Sequence, residues 1–479
     1  MIKMLALCFS GLYLKSANSS SEKKSISMSL VGSSDSQEQN EGKNNPSSND
    51  LRIEGIGLPN YLPISSDIIN LQPINLLCNV PRNKWSSILD GTSDYDCADS
   101  INELIGAISG INKPGVLMLP NGRISVGKTI SIKGLCSLRG QSIPSTEIFA
   151  LPGLNSNIIE SDSFSEHAFN SSINPSWIDI RDLRVNGNKN NQKNGGGIFL
   201  YASRISMDNL LVMNCYGDGI YTKYTDKIGS KDYLGQEEGC FGNIITRNND
   251  GNGWVFHGPH NSTINSIISS YNKGWGFINE TKKGEYDGNI TLLAHLHTYG
   301  NGTNDNHSGS CIKSVSTIGY LVVDGEYSLI NANNVQIDRV KMIFGGRGND
   351  GIILRGSYCN IGMINAAMKT NTSGQNTLQI DGSSNYIGRT MLFCNNNNGV
   401  KIQGNNNIIE NVEIIKSSNA VSIIGYGNRV VGNISGANNV LNISEGDRPK
   451  NNVLLNSPSN IIHQAQSANG DNKVHHGNN

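Results

Sequence analysis

Four basic side chains occupy matching places in short, similar phrases of the sequence: Lys223, His257, Lys313 and Arg355. A cation can neutralise a carboxylate, and a histidine or lysine can take the carbon-bound proton beside it. These residue types therefore suit a β-elimination next to a carboxylate. Lys223 and His257 are the catalytic candidates, and Lys313 and Arg355 the substrate-binding ones. Other phrases extend the same column with Tyr201, Ile278, Asp381 and Gln403, of which Tyr201 and Asp381 are also substrate-binding candidates.

Carboxylates in the same region support a different chemistry. Hydrolysis of a glycosidic bond needs two carboxyl groups about 5 to 9.5 Å apart. Asp218 and Glu238 are the catalytic candidates for this reaction, with Glu237 and Asp250 nearby in the sequence. Asp218 lies in Gly-Asp-Gly, which is also a turn signal. Sequence spacing leaves elimination and hydrolysis both open.

A second cluster of reactive side chains is His295, His297 and Tyr299 in the phrase Leu-Ala-His-Leu-His-Thr-Tyr. Strand alternation places these three on one face, opposite Ala294 and Leu296. Two histidines two residues apart can bind zinc, or pair with a tyrosine as base and acid. The other interpretation is a polar outer strand face. We include all three among the substrate-binding candidates.

The elements that position these residues follow from an internal repeat. Aliphatic positions Ile352, Leu378, Val400, Val421 and Leu441 recur at spacings of 20 to 26 residues. A period in the low twenties, with alternating Ile and Val between Gly, Asn and Ser turns, indicates a coiled solenoid of short strands. We predict an all-β fold, a single-stranded right-handed parallel β-helix. In such a coil, residues after the inward pair point outward and stack about 4.8 Å apart.

Composition agrees with this fold and excludes some functions. The chain has 54 Gly and 67 Asn among 479 residues, an excess suited to tight turns and stacked amide ladders. A net charge of −1 argues against a nucleic-acid partner. No apolar run is long enough for a membrane span. The nine cysteines form no CxxC pair, no cofactor is required, and calcium remains compatible with the sequence.

Domain boundaries follow from changes in composition. An amphipathic helix near residue 100, with its apolar stripe at Ile101, Leu104, Ile105 and Ile108, is expected to plug the open end of the β-helix. Trp254 and Trp275 fall at the inward register of consecutive coils and predict a stacked core pair. The segments are 1–17, a candidate secretory signal; 18–50, a disordered linker; 51–95, an irregular segment; 96–456, the β-helix; and 457–479, a flexible tail.

Two long spacings place a site in the middle coils. The column spacing is 34 residues from Lys223 to His257 and 35 from Ile278 to Lys313. The extra residues lie at about 224–239 and 299–308, on both sides of His257. Long loops on a solenoid commonly form the walls of its binding face.

The helix, the phrase Gly-Val-Leu-Met-Leu-Pro-Asn-Gly-Arg-Ile-Ser-Val and the phrase Ile-Lys-Gly-Leu-Cys-Ser-Leu-Arg-Gly together resemble the opening of the pectate-lyase-like superfamily. That group includes polysaccharide lyases, polygalacturonase-related hydrolases, uronan epimerases and phage tailspike depolymerases. The resemblance implies a polysaccharide partner and a site on an outward face. The adjacent Asp pair and the Gly-His-Gly of polygalacturonases are missing, so their catalytic residues are not transferred.

The sequence thus predicts a secreted, carbohydrate-active protein that cleaves an acidic polysaccharide by elimination or hydrolysis. The alternative is a non-catalytic surface or adhesion solenoid, or a phage tailspike that binds glycan. The oligomeric state is left open.

Overall fold

The computed structural model describes residues 73–110, 114–162, 164, 176–223, 238–280, 289–302, 308–345, 350–369 and 375–435, and the strand backbones Asn439–Ile443, Val453–Leu455, Ile462–Gln464 and Lys473–His475. The predicted signal segment and linker lie outside the described residues. So do most of the first loop insertion, including Glu237, and residues 303–307 of the second.

Short elements precede the first coil, in a segment where the sequence predicted none. They are β1 (Ile74–Asn75), the 3₁₀ helices Leu76–Asn79 and Arg82–Lys84, and α1 (Trp85–Leu89). Leu76 and Ile88 are fully buried in the main core, so this segment belongs to the packed structure. Helix-type turns escaped prediction because they are too short to show an apolar period.

The predicted capping helix is α2 (Ala98–Ser109). Its expected stripe of Ile101, Leu104, Ile105 and Ile108 is fully buried. The side chain of Asn102 accepts a hydrogen bond from Ser131 N (2.8 Å) and donates to Thr129 O (2.9 Å). Helix α2 therefore bonds the free backbone edge of the first short strand.

The strands follow one another around the coils. The first are β2 (Gly115–Met118), β3 (Gly122–Val126), β4 (Ile130–Ile132), β5 (Cys136–Arg139), β6 (Thr146–Ala150), β7 (Ile159–Ser161) and β8 (Ser176–Asn186). A 3₁₀ turn, Lys189–Asn191, leads to β9 (Ile198–Tyr201), β10 (Ser203–Met213), β11 (Ile220–Lys223), β12 (Cys240–Arg247), β13 (Trp254–His257), β14 (Ser262–Ser270), β15 (Phe277–Ile278) and β16 (Ile290–Tyr299). Then come β17 (Ser308–Ile312), β18 (Val315–Asp324), β19 (Tyr327–Ile330), β20 (Gln336–Gly345), β21 (Ile352–Leu354), β22 (Asn360–Met368), β23 (Asn376–Ile380) and β24 (Tyr386–Phe393). The last are β25 (Asn398–Gln403), β26 (Ile408–Ile415), β27 (Asn419–Ile424), β28 (Arg429–Ser435), β29 (Asn439–Ile443), β30 (Val453–Leu455), β31 (Ile462–Gln464) and β32 (Lys473–His475).

Among the described residues these strands form two sheets, of 18 and 14 strands, and the pairings within them are parallel. From β8 onward the even-numbered strands build the larger sheet, here called the long sheet, and the odd-numbered strands the short sheet. Leu378 pairs with both Ile352 and Val400, and Val421 with Val400 and Leu441. The predicted parallel β-helix, and the vertical stacking of its repeats, are confirmed.

Each long strand covers two sides of its coil. Strands β5 and β6 pair with successive halves of β8, on either side of Asp182, whose φ is +61°. In β10 the equivalent residue is Asn209, with φ +50°. The left-handed conformation, which Asn and Asp tolerate, lets the strand bend while its ladder continues. Together with the short strand, the coil therefore has three sides.

The C-terminal coils continue beyond the predicted boundary at 456. Strand β31 pairs with β29, and β32 with β30. The interpretation of 457–479 as a tail missed these strands because their polar composition hides the inward alternation.

The core is aliphatic except in the middle coils, where Trp254, Phe256 and Phe277 are fully buried. The Trp254 ring meets the Phe277 ring edge-on at 5.9 Å. The predicted Trp254–Trp275 pair is wrong, because Phe277 takes the inward position and Trp275 lies outside, against Tyr327 (5.3 Å between ring centroids).

Buried asparagines form ladders at one corner of the coils. Asn249 Nδ2 donates to Asn272 Oδ1, and Asn272 Nδ2 to Asn301 Oδ1, each at 2.8 Å. A second ladder joins Asn385, Asn407 and Asn428 at 3.0 Å per step. Each amide satisfies buried backbone groups of the turn as well as its neighbour, so the ladders fix the coil register.

The first ladder ends on a carboxyl group rather than an amide. The backbone N–H of Asn301 donates to Glu326 Oε1, and Glu326 is fully buried. Burial raises the pKa of Glu326 from its ordinary value of 4.5 to about 8, and the bond from Asn301 only partly opposes this. At neutral pH the ladder therefore ends on a neutral acid.

This raised pKa predicts a loss of stability as pH rises. Between the two pKa values the folded protein keeps a proton that the unfolded chain has released, so the free energy of unfolding falls with increasing pH. Glu326→Gln keeps the acceptor and cannot ionise. As pH rises from about 5 to about 8, the midpoint temperature of thermal unfolding should therefore fall more in the wild type than in Glu326→Gln. The exposed carboxylate of Glu413 provides a control, Glu413→Gln. Parallel wild-type and Glu326→Gln curves would contradict the prediction.

Candidate functional site

The predicted column exists on the outer face of the short sheet. Lys223 pairs in register with Tyr201 in the coil before and with His257 in the coil after. Further along, Ile330 pairs with Leu354, Leu354 with Ile380 and Ile380 with Ile402. The residue after each of these inward positions continues the column. We call this set the outer column: Tyr201, Lys223, His257, Glu280, Lys313, Asn331, Arg355, Asp381 and Gln403.

Two members of the outer column were not found from the sequence. Ile278 pairs with Val255, so the residue beside His257 is Glu280 and not Ile278. The sequence phrase predicts this column position two residues early, because Asn279 replaces the aliphatic residue that marks the second inward position. The coil of β19 was missed because Ser328 is its inward residue. This coil contributes Asn331.

The first members of the column are covered rather than exposed. Tyr201 is 3% exposed, and it clusters with Phe164, Phe199 and Tyr221. The ring of Phe164 lies edge-on to Phe199 at 5.7 Å and to Tyr221 at 6.0 Å. Tyr201 therefore points outward as predicted, but an aromatic cluster covers it and it does not face solvent.

Lys223 points outward as predicted but is only 6% exposed. It lies between Tyr201 and His257 in the adjacent coils. Its charge is therefore held beside His257 and is not presented openly to solvent.

His257 is partly buried and has a defined partner. The hydroxyl of Tyr221 and Nδ1 of His257 lie 3.1 Å apart, and the two rings meet edge-on at 5.3 Å. Tyr221 also stacks on Phe199, with ring centroids 5.6 Å apart. This stacking holds the hydroxyl against the imidazole, so the ring orientation of His257 is fixed by its neighbours in the sheet.

Glu280 connects His257 to the next part of the column. Its Oε2 accepts a hydrogen bond from the Cys311 thiol at 2.9 Å, and Oε1 accepts one from Asn331 Nδ2 at 3.2 Å. Burial and the neighbouring Glu280 carboxylate raise the pKa of Cys311, so this thiol stays protonated. Glu280 is thereby oriented within the outer column.

The upper part of the column presents charges to solvent. Arg355 is 51% exposed, and its Nε lies 3.6 Å from Asp381 Oδ2. Gln379 Nε2 donates to both oxygens of Asp381 at 2.9 Å. Apolar and aromatic side chains border these charges on the same face: Trp275, Ile278, Cys311, Tyr327, Leu329 and Ile353. Rings beside charges are typical of a ligand-binding face.

The predicted carboxylates outside the column do not join it in register. Asp218 Oδ1 accepts hydrogen bonds from the backbone N–H of Asn252 (2.6 Å) and from its side-chain amide (2.9 Å). Burial raises the pKa of the Asp218 carboxyl despite these bonds. Asp250 is paired with Lys189 (2.8 Å) and Lys273 (2.7 Å). Asp218 and Asp250 thus hold turns together, whereas Glu238 is exposed just before β12.

His295, His297 and Tyr299 lie on the long sheet, not in the outer column. They point outward together, and Leu296 and Thr298 between them are fully buried. Ala294 is not inward as predicted, because the alternation changes phase after Leu293. The structure therefore divides the predicted site between two sheets. Within the described ranges, no group of three or more His, Cys, Asp or Glu side chains is arranged to hold a metal ion.

The fold defines a parallel β-helix protein with polar outer faces. No family model matches the chain, and no curated protein matches its sequence significantly. No helix in the described part of the chain is long and apolar enough to cross a membrane.

Solved structures share this fold at low identity. The pre-mature gene product 12 of bacteriophage phi29 matches with a TM-score of 0.51 and 12% identity, over 80% of this chain and 52% of that one. The mannuronan C-5 epimerase AlgE4 A-module of Azotobacter vinelandii matches with a TM-score of 0.40 and 13% identity, over 84% and 96%. The tailspike gp49 of Acinetobacter baumannii bacteriophage Fri1, a capsular polysaccharide depolymerase, gives 0.37 and 10%, over 88% and 68%. At these identities the likeness concerns the fold alone.

The buried position of Tyr201 predicts a structural role that can be measured. Tyr201→Ala should lower the free energy of unfolding by roughly 2–4 kcal/mol, since it opens a cavity under Phe164. Gln403→Ala, at the same position of a later coil and partly exposed, should cost under about 0.5 kcal/mol. Denaturant unfolding measures both. Equal, small losses would show that Tyr201 is not packed as described.

Proposed function

We propose that the protein binds an acidic polysaccharide along the outer column and cleaves it by β-elimination, with His257 as the base. The observation that supports this most is the register of the column. It places Lys223, His257, Glu280 and Lys313 in four successive coils, about 4.8 Å apart at each step. A linear polymer lying across the coils can contact His257, Glu280 and Lys313, with the buried Lys223 beside His257.

Elimination needs a cation, a base and an acid, and side chains in and beside the column can fill these three roles. The cation of Lys313, two coils from His257, attracts and neutralises the carboxylate of a uronic acid residue, which acidifies the neighbouring carbon-bound proton. Arg355, four coils from His257, binds a carboxylate on another residue of the same chain. His257 accepts that proton, and the electron pair it leaves forms a carbon–carbon double bond. The glycosidic oxygen departs with the electrons of its bond to carbon and needs a proton. The Tyr221 hydroxyl, 3.1 Å from His257 Nδ1, is placed to supply it.

The carboxylates of the column favour elimination over hydrolysis. Glu280 and Asp381 are separated by the coils of Lys313, Asn331 and Arg355, which corresponds to about 19 Å at the usual strand spacing. Hydrolysis needs two carboxyl groups about 5 to 9.5 Å apart. The Asp218 carboxyl already accepts two hydrogen bonds from Asn252. A hydrolytic pair would have to recruit Glu238, which is exposed outside the column.

A non-catalytic glycan-binding solenoid is the second candidate. The burial of Lys223 favours it, because a catalytic cation is normally accessible to substrate. Both proposals include secretion of the protein, since the polysaccharide it would bind lies outside the cell. Calcium remains compatible with either and has no role in the steps above.

His257→Ala should abolish cleavage while changing thermal unfolding little, because the side chain is outward and only partly buried. Tyr221→Phe keeps the ring stack and removes only the hydroxyl, so cleavage should fall by about 10²-fold or more. The assay incubates the protein with polygalacturonate, alginate, hyaluronate and neutral dextran. Absorbance at about 235 nm reports the unsaturated product of elimination.

Reducing ends without this absorbance would instead identify a hydrolase. Full activity of His257→Ala would remove the residue from the mechanism. Glu413→Gln, an exposed substitution on β26 outside the outer column, is the control and should retain cleavage.

A further inference from the structure

A second outward surface lies on the long sheet, and the proposed mechanism does not use it. Its rings come from three successive coils and form what we call the aromatic strip: Tyr271, Tyr299, His297, His295 and Tyr320. Neighbouring ring centroids along the strip are 5.4, 5.2, 6.4 and 5.8 Å apart. The rings therefore form a continuous surface over the turn residue after β14 and over β16 and β18, and not a set of isolated side chains.

The backbone is arranged to bring these rings together. His295 and Tyr320 are paired in register, as are Ser270 and Tyr299. Tyr271 has φ +55°, which is unusual for a large residue and turns its ring back over the next coil. Gly300 lies beneath that ring, where an added Cβ would come within 2.8 Å of it. A side chain at residue 300 would therefore displace the first ring of the strip.

The two histidines contribute ring surface rather than charge. Burial lowers the pKa of His295 and of His297, so both are neutral at pH 7. His295 Nδ1 is engaged by Ser266 Oγ at 3.0 Å. His297 Nε2 is covered and has no hydrogen-bond partner within the described part of the chain. The strip thus has the character of five adjoining uncharged rings.

Positive charge lies at both ends of the strip. The Arg247 guanidinium is 5.6 Å from the Tyr271 ring centroid, and that of Arg339 is 5.5 Å from the Tyr320 centroid. Neither arginine forms a salt bridge to a carboxylate in the described ranges. Lys341 and Asp324 also face His297, and the exposed Asp338 directly precedes Arg339, so three cations and two carboxylates lie on or beside the strip. The imbalance favours an anionic partner.

We infer that the aromatic strip is a second binding surface for an acidic polysaccharide chain, separate from the outer column. Sugar rings present C–H groups that pack on aromatic faces, and carboxylates on the same chain meet Arg247 and Arg339. From His295 to Tyr299 the strip follows β16 for about 13 Å, so it contacts more than one sugar. The inference takes its ligand class from the proposed function but needs no cleavage.

The test measures retention of the full-length protein in native gels containing alginate, polygalacturonate or hyaluronate, with dextran as the neutral control. The double variant Tyr271→Asn/Tyr320→Thr removes the end rings while keeping residues suited to a left-handed corner and to a strand. Its apparent Kd for the acidic polymer that retains the wild type should rise at least tenfold. Arg247→Gln/Arg339→Gln should weaken retention and reduce its dependence on salt.

The matched control is Tyr358→Asn/Tyr386→Thr. Tyr358 is also left-handed and is 66% exposed, and Tyr386 is a strand residue that is 41% exposed, so the same substitutions are made away from the strip. This control should retain wild-type affinity, and all variants should keep the thermal midpoint within a few degrees.

Unchanged affinity of the strip variant would overturn the inference, and so would a wild type that no acidic polymer retains. Sedimentation velocity tests whether a second copy of the protein, and not a polysaccharide, covers the strip. A wild-type dimer that dissociates in the strip variant would make the strip a contact between copies and would also overturn it. Failure of the proposed function appears differently, as missing cleavage products with retention intact.

Discussion

The parallel register between coils is the constraint on which the rest of the structure depends. Each strand bonds to the strand one coil before and one coil after, so a residue's outward neighbours are set by backbone hydrogen bonds and not by side-chain affinity. Aliphatic side chains fill the inward rows, and the buried amide ladders hold the corners in phase. A slip of one residue would reverse every inward and outward side chain. The outer column and the aromatic strip are both products of this register.

The sequence was sufficient for the architecture because the repeat leaves a strong signal. The positions of Ile352, Leu378, Val400 and Val421 stack as predicted, since each is an aliphatic residue after a small or polar turn residue. The signal fails where the inward residue is not aliphatic. The coils with Ser328 and Asn279 at an inward position were not recognised for this reason. The column residues Asn331 and Glu280, which belong to these coils, were therefore not predicted.

The solvent exposure of a side chain was harder to predict than the face of the sheet on which it lies. Strand alternation gives the side from which a residue leaves the sheet, and it placed Lys223 and Tyr201 correctly on the outer side. Whether another segment covers that side depends on distant residues. Phe164, nearly forty residues before Tyr201, closes that part of the column, and no local pattern reveals this. The division of the candidate residues between two sheets likewise requires knowing where each long strand bends, at residues such as Asp182.

The way the first coil is covered has a consequence for self-assembly. A stack of parallel strands ends in unpaired amides and carbonyls, which can template the addition of another chain. Here Asn102 of α2 bonds Thr129 O and Ser131 N beside the first short strand, and β1 occupies the edge of β2. These contacts occupy part of the strand edge that a second molecule would need in order to add its own coil at this end. Within the described residues, they therefore oppose fibre growth by stacking coil upon coil in that direction.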